Sequence, residues 1–117
     1  MSLESFLVVA AIIFSIGLYG ALSKRNAITV LMCIELMFNG VNITAVALSR
    51  YVVPARLAGG VEAAGDEVVQ FLLTGQVFAV FIITVAAAEI ALGLGIVFAM
   101  YQTHDSVDLT DATGLRH

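Results

Sequence analysis

Two lone glutamates stand inside otherwise charge-free apolar runs, and that pattern decides which solvent this chain can fold in. Residues 5–23 carry no charged side chain, residues 26–49 carry only Glu35, and residues 68–103 carry only Glu89. A helix needs about 20 predominantly apolar residues to cross the hydrocarbon core of a bilayer, and each run supplies them. Composition agrees: 61% of the 117 residues are apolar, 12% are charged, and the mean hydropathy is +1.04. Soluble domains carry about twice that share of charge. Lipid offers no partners to backbone N–H and C=O groups, and the chain is too short for a closed barrel, so each span is expected to be a helix. The sequence therefore predicts an all-α integral membrane protein with three transmembrane helices in a single membrane domain, residues 1–117. The helices are expected over about 3–23, 26–49 and 75–102, with an extended acidic loop over 50–74 and a polar tail over 103–117.

Several function classes fall away. A net charge of −4 leaves nothing to neutralise a run of phosphates, which excludes nucleic acid as a partner. One cysteine, Cys33, permits no internal disulfide, and His104 and His117 make no metal-ligand spacing. No metal or cofactor site is expected in this chain. The N-terminus has Glu4 and no basic leader, so the first span reads as retained rather than cleaved. Lys24 and Arg25 form a compact basic pair in the first loop. Together with Arg116 in the tail they slightly outnumber Arg50 and Arg56 on the other side. The positive-inside rule then places the C-terminus in the cytoplasm and the N-terminus outside.

Glu35 and Glu89 are the candidate functional residues. A carboxylate at the centre of a span costs on the order of 2.5 kcal/mol or more to insert. Glu35 lies nine residues beyond Asn26, about 13 Å along a helix, and Glu89 lies near the middle of the third span. Low dielectric disfavours the charged form, and an intramembrane carboxyl is a natural stop for a proton in transit. The plainer reading is a protonated side chain that hydrogen-bonds a neighbouring helix. Asn39 and Asn42, at i+4 and i+7 from Glu35, extend a polar stripe along one helix face. That stripe must face protein or water, either to order water for proton transfer or to bond a neighbouring helix.

The stretch SKRNAITVLMCIELMFNGVN resembles the first loop and second helix of the K subunit, also called the 4L-type subunit, of proton-translocating NADH:quinone oxidoreductase (respiratory complex I). The stretch TGQVFAVFIITVAAAEIALGLGIVFAMY resembles its third helix, and VDLTDATGLR resembles its ending. The resemblance implies a subunit of the membrane arm in the energy-coupling membrane, most simply a prokaryotic plasma membrane. It implies an outside N-terminus and a cytoplasmic C-terminus. It also implies that Glu35 and Glu89 belong to the proton path, with Lys24 and Arg25 in the cytoplasmic basic loop. The implied partners are other membrane-arm subunits, namely small multi-helix neighbours and an antiporter-like subunit, beside the lipid bilayer. The whole complex would use a flavin, iron–sulfur clusters and quinone, none of them held by this chain. One departure is expected, because the family's second loop is usually short, and residues 51–74 read as an acidic insertion. The alternatives are a non-catalytic assembly subunit, whose glutamates only anchor helices, and a small subunit of a related hydrogenase or cation/proton antiporter complex. A rotor-ring proteolipid fits less well, because that reading needs two spans rather than three.

Overall fold

The computed structural model describes residues 2–57 and 65–111. Among these residues there are three α-helices in chain order: α1 (Leu3–Ser23), α2 (Ala27–Leu57) and α3 (Gly65–His104). All three are long and apolar enough to cross a membrane, over Leu3–Ser23, Ala27–Val52 and Leu73–His104. The three-helix membrane fold expected from the sequence is the fold observed. The molecule is 67 Å long and 24 by 21 Å across, so the spans run side by side along one axis. The central helix is α2, packed on α1 along one side and on α3 along another.

The ends of the helices follow from local chemistry. Ser2 caps α1, its hydroxyl accepting from the Ser5 amide at 3.4 Å, and Glu4 sits in the first turn, where the helix dipole favours an anion. Asn26 caps α2, its Oδ1 accepting from the amides of Ile28 at 2.9 Å and Thr29 at 3.3 Å.

The region between α2 and α3 differs from the expected extended loop over 50–74. Backbone helix continues through Arg50 to Leu57, and α3 already begins at Gly65. A charge marks where a helix leaves lipid. It does not end the helix, because water and lipid both leave the internal hydrogen bonds in place. Pro54 reads in the sequence as a turn signal, yet a helix passes it at the loss of one backbone bond. Glu62 lies outside the described residues, while Asp66 and Glu67 lie in the first turn of α3.

Small residues make the core. The buried apolar side chains are Ala10, Ala27, Ala47, Ala79, Ala86 and Val97, and no large side chain among the described residues is fully buried. Large apolar residues instead face outward along every helix: Leu22 is 80% exposed and Phe98 68%. In water that surface would be untenable; in lipid it is the solvent-facing surface. Without a hydrophobic force between helices, association rests on close backbone approach. A Cβ at Gly40 would lie 2.9 Å from the Ala10 carbonyl oxygen, and one at Gly93 would lie 2.6 Å from Leu31 Cδ2. At Gly75 it would collide with Ser49 Oγ.

The tail folds back as a strap. Ala27 N–H donates to the Val107 carbonyl at 2.9 Å, and Leu109 N–H donates to the Arg25 carbonyl at 2.8 Å. Asn26 and Asp108 thereby form an isolated antiparallel bridge. Asp105, at φ 53°, makes the sharp reversal out of α3. The first loop and the tail therefore share one end of the molecule. The Asp108 carboxylate caps the turn beyond the bridge, Oδ1 accepting from the Thr110 hydroxyl at 2.6 Å and the Thr110 amide at 2.8 Å. Those two bonds, helped by the Arg25 charge, hold its carboxyl below the ordinary carboxylate range. A depressed folded value means the contribution is complete above the ordinary carboxylate range and is lost as pH falls through the depressed value. The strap is thus expected to stay docked at neutral pH. Asp108→Ala should speed amide exchange at Leu109 and Ala27 several-fold, read by hydrogen exchange on the assembled protein, with exchange in the α1 span unchanged.

Candidate functional site

Three hydroxyls inside the spans are satisfied within their own helices. Ser15 donates to the Ala11 carbonyl at 2.7 Å, Thr44 to that of Gly40 at 3.1 Å, and Thr84 to that of Val80 at 2.9 Å. Against that background two polar groups stand out. Glu35 Oε2 and Asn42 Oδ1 are shut off from solvent and have no hydrogen-bond partner among the described residues. Ser49 Oγ shares that state, but it is wedged at the α2–α3 crossing against Gly75, where packing accounts for it. Buried oxygens of the other kind normally mark a water or a partner side chain from outside the chain.

Glu35 is half-buried and lines an open cleft of about 570 Å³ between α2 and α3. The α2 wall is Ile28, Leu31 and Met32, and the α3 wall is Ala87, Ile90 and Leu94. The carboxyl is thus the polar feature of an apolar cleft at lipid depth.

The two glutamates share one level. Leu31 faces Gly93, and Ser49 faces Gly75, which sets the antiparallel register of α2 on α3. Four residues on from Leu31 is Glu35, and four residues back from Gly93 is Glu89. Their backbones therefore lie opposite one another, to within about a turn. Their side chains do not meet. Ala86 and Gly93 form the ridge of α3 against α2, with Ala87, Ile90 and Leu94 to one side of it and Glu89 to the other. Glu35 opens on the first side. Glu89 is exposed, pointing sideways from the middle of the Leu73–His104 span rather than into this chain's own core.

The polar stripe of α2 divides in the same way. Asn42 is half-buried and lines a separate groove against α1, and Asn39 is exposed. No hydrogen bond joins Glu35, Asn39, Asn42 and Glu89 to one another among the described residues. Lys24 and Arg25 are exposed at the strap end, where the Lys24 amide closes α1 on the Gly20 carbonyl at 3.1 Å and the Arg25 carbonyl holds the strap. Among the described residues no group of three potential metal ligands converges. Sequence reasoning missed the strap, whose only local signals were Asn26 before an apolar run and the D-x-T pair of Asp108 and Thr110.

A protein family described as NADH-ubiquinone/plastoquinone oxidoreductase chain 4L matches residues 5–117. The chain is 43% identical over 111 residues to NADH-quinone oxidoreductase subunit K 1 of Geobacter sulfurreducens, covering 95% of this chain and 93% of that protein. It is 44% identical over 115 residues to NADH-quinone oxidoreductase subunit K of a Geobacillus species, covering 98% and 95%. With NAD(P)H-quinone oxidoreductase subunit 4L of a Nostoc species the identity is 47% over 109 residues, covering 93% and 92%. Coverage this even on both sides shows relatives of nearly equal length. The connection between α2 and α3 is therefore not a long insertion relative to them, contrary to the expected departure.

Proposed function

The chain belongs to the NADH-ubiquinone/plastoquinone oxidoreductase chain 4L family, and from that premise we propose that it conducts protons through the membrane arm by way of Glu35 and Glu89. It is a membrane subunit of NADH–quinone oxidoreductase, that is, of respiratory complex I. The electrons travel through other subunits, which hold the flavin, the iron–sulfur clusters and the quinone. This chain supplies two carboxyls at one depth, facing opposite sides of the α2–α3 ridge. Each then serves a different neighbour: Glu35 the cleft between its own helices, and Glu89 a helix packed from outside. Small multi-helix subunits and an antiporter-like subunit are those neighbours. The strap end, with Lys24 and Arg25, lies on the cytoplasmic side, and Ser2 lies outside.

The observation that carries this reading is the Glu35 carboxyl, with one oxygen sealed from solvent and unpartnered in an apolar cleft level with Glu89. A carboxyl used only to hold these helices together would have found a donor within the chain, just as Ser15, Thr44 and Thr84 found acceptors. Water entering the cleft gives Glu35 its donor and its route for proton exchange, and Asn42 holds further water toward the Ser2 end. Glu35 takes up a proton, passes the charge change across the ridge to Glu89, and is reset as Glu89 exchanges with the next subunit.

Glu35→Gln keeps shape and one hydrogen-bond face and removes titration. In the whole complex in proteoliposomes, it is expected to lower NADH-driven proton translocation several-fold while ferricyanide reduction by NADH stays intact. Full translocation per electron pair would reduce Glu35 to helix glue and leave the assembly-subunit reading standing.

A further inference from the structure

At the end opposite the strap, an open groove of about 270 Å³ lies between α1 and α2. Phe6, Ile43, Val46 and Ala47 form its apolar walls, and Asn42 lies at its lower end. Its mouth carries Arg50 and Tyr51. The Arg50 guanidinium carbon stands 5.9 Å from the centre of the Tyr51 ring, and that ring lies 6.0 Å from Phe6, tilted by 42°. Arg50 is exposed, two residues before the end of the Ala27–Val52 span, and Phe6 is three residues inside the Leu3–Ser23 span. The mouth is therefore at headgroup level, and the groove descends about 12 Å from Arg50 to Asn42.

We propose that this groove binds one anionic phospholipid, its phosphate on Arg50 and part of one acyl chain along Phe6, Ile43, Val46 and Ala47. The order of chemistry down the groove is cation, amphipathic ring, aliphatic wall. The order along the lipid is phosphate, glycerol ester, hydrocarbon. Arginine presents a planar fork that suits phosphate oxygens, and its stacking on Tyr51 restricts where that fork can point. Arg50 supplies the charge at the mouth, and its sign favours an anionic headgroup over a zwitterionic one. The groove shares Asn42 with the water route proposed above but contains neither Glu35 nor Glu89, and the lipid seat rests on Arg50 and the apolar walls whether or not those carboxyls carry protons.

The test uses the whole complex in nanodiscs with photoactivatable lipids. Phosphatidylglycerol and phosphatidylcholine, each carrying a diazirine on the same acyl chain, are compared at equal mole fraction, and labelled peptides are mapped by mass spectrometry. The expected result is several-fold stronger labelling of the peptide containing Ile43 and Val46 by phosphatidylglycerol. That preference should vanish in Arg50→Gln and persist in Arg50→Lys, and Val46→Phe should lower labelling by both lipids. Equal labelling of the wild-type complex by the two lipids would overturn the proposal, even if the Arg50 variants failed to assemble. So would a photoreactive amino acid at position 46 that cross-links to another subunit instead of lipid.

Discussion

Glu89→Gln is expected to leave the complex assembled and able to oxidise NADH, while proton translocation falls on the order of ten-fold or more. The side chain points sideways at mid-span, away from this chain's own helices. Holding a carboxyl there costs on the order of 2.5 kcal/mol or more on insertion scales. Nothing in the bundle's own packing recovers that cost, since Ala86 and Gly93 already make the close contact with α2. Glutamine has the same reach, a similar volume and both a donor and an acceptor, so a purely structural contact to a neighbouring helix survives the change. Only titration is lost. The measurement is proton uptake or release per electron pair in proteoliposomes, read beside the quinone reductase rate. Wild-type stoichiometry in the variant would sink the relay and leave Glu89 as an interhelical anchor. A loss of assembled complex with no loss of pumping per complex would point the same way.

The second large effect is steric. A Cβ on Gly17 would stand 2.6 Å from the Cys33 carbonyl oxygen, 2.8 Å from Met37 Cγ and 3.0 Å from the Met37 amide nitrogen. Two of those atoms are backbone of α2 and cannot turn aside. Gly17→Val must therefore push α1 away from α2, and overpacking of this kind costs typically about 1–3 kcal/mol. A small subunit held by close helix contacts has little to spare, so the assembled complex on a native gel should fall severalfold and its thermal midpoint should drop. Gly95 supplies the control. A Cβ there meets nothing within 4 Å, so Gly95→Ala should be neutral or slightly stabilising through helix propensity. Equal behaviour of the two variants would mean that the α1–α2 contact is not as close as described.

The α1–α2 contact also shows where sequence reading reaches its limit. Gly17 and Gly20 are visible in the sequence as small residues at a helical spacing, which suggests packing. Which helix they meet, and that Cys33 is the residue their absent side chains make room for, is a matter of register. The same holds for Glu35 and Glu89. Their places inside apolar runs were legible, because a charge within a charge-free stretch needs no structure to be seen. Their equal height was not, since it rests on Leu31 facing Gly93 and Ser49 facing Gly75, two contacts made by residues more than 25 positions apart. Asn39 and Asn42 share a stripe with Glu35 by spacing alone, yet the packing of α1 turns Asn42 into a groove of its own and leaves Asn39 exposed.

Hydropathy and charge spacing alone determined the number of spans, their helical state and the presence of two acidic side chains at lipid depth. The bilayer imposes those outcomes on any chain of this composition, because an unpaired backbone cannot cross it. The extension of α2 to Leu57, the start of α3 at Gly65, the strap over residues 105–111 and the opposite outlook of the two carboxyls were decided by tertiary structure. Each depends on which helix faces meet and at what height. Alanine and glycine contacts set that geometry, and they carry little signal along the chain until the helices are side by side.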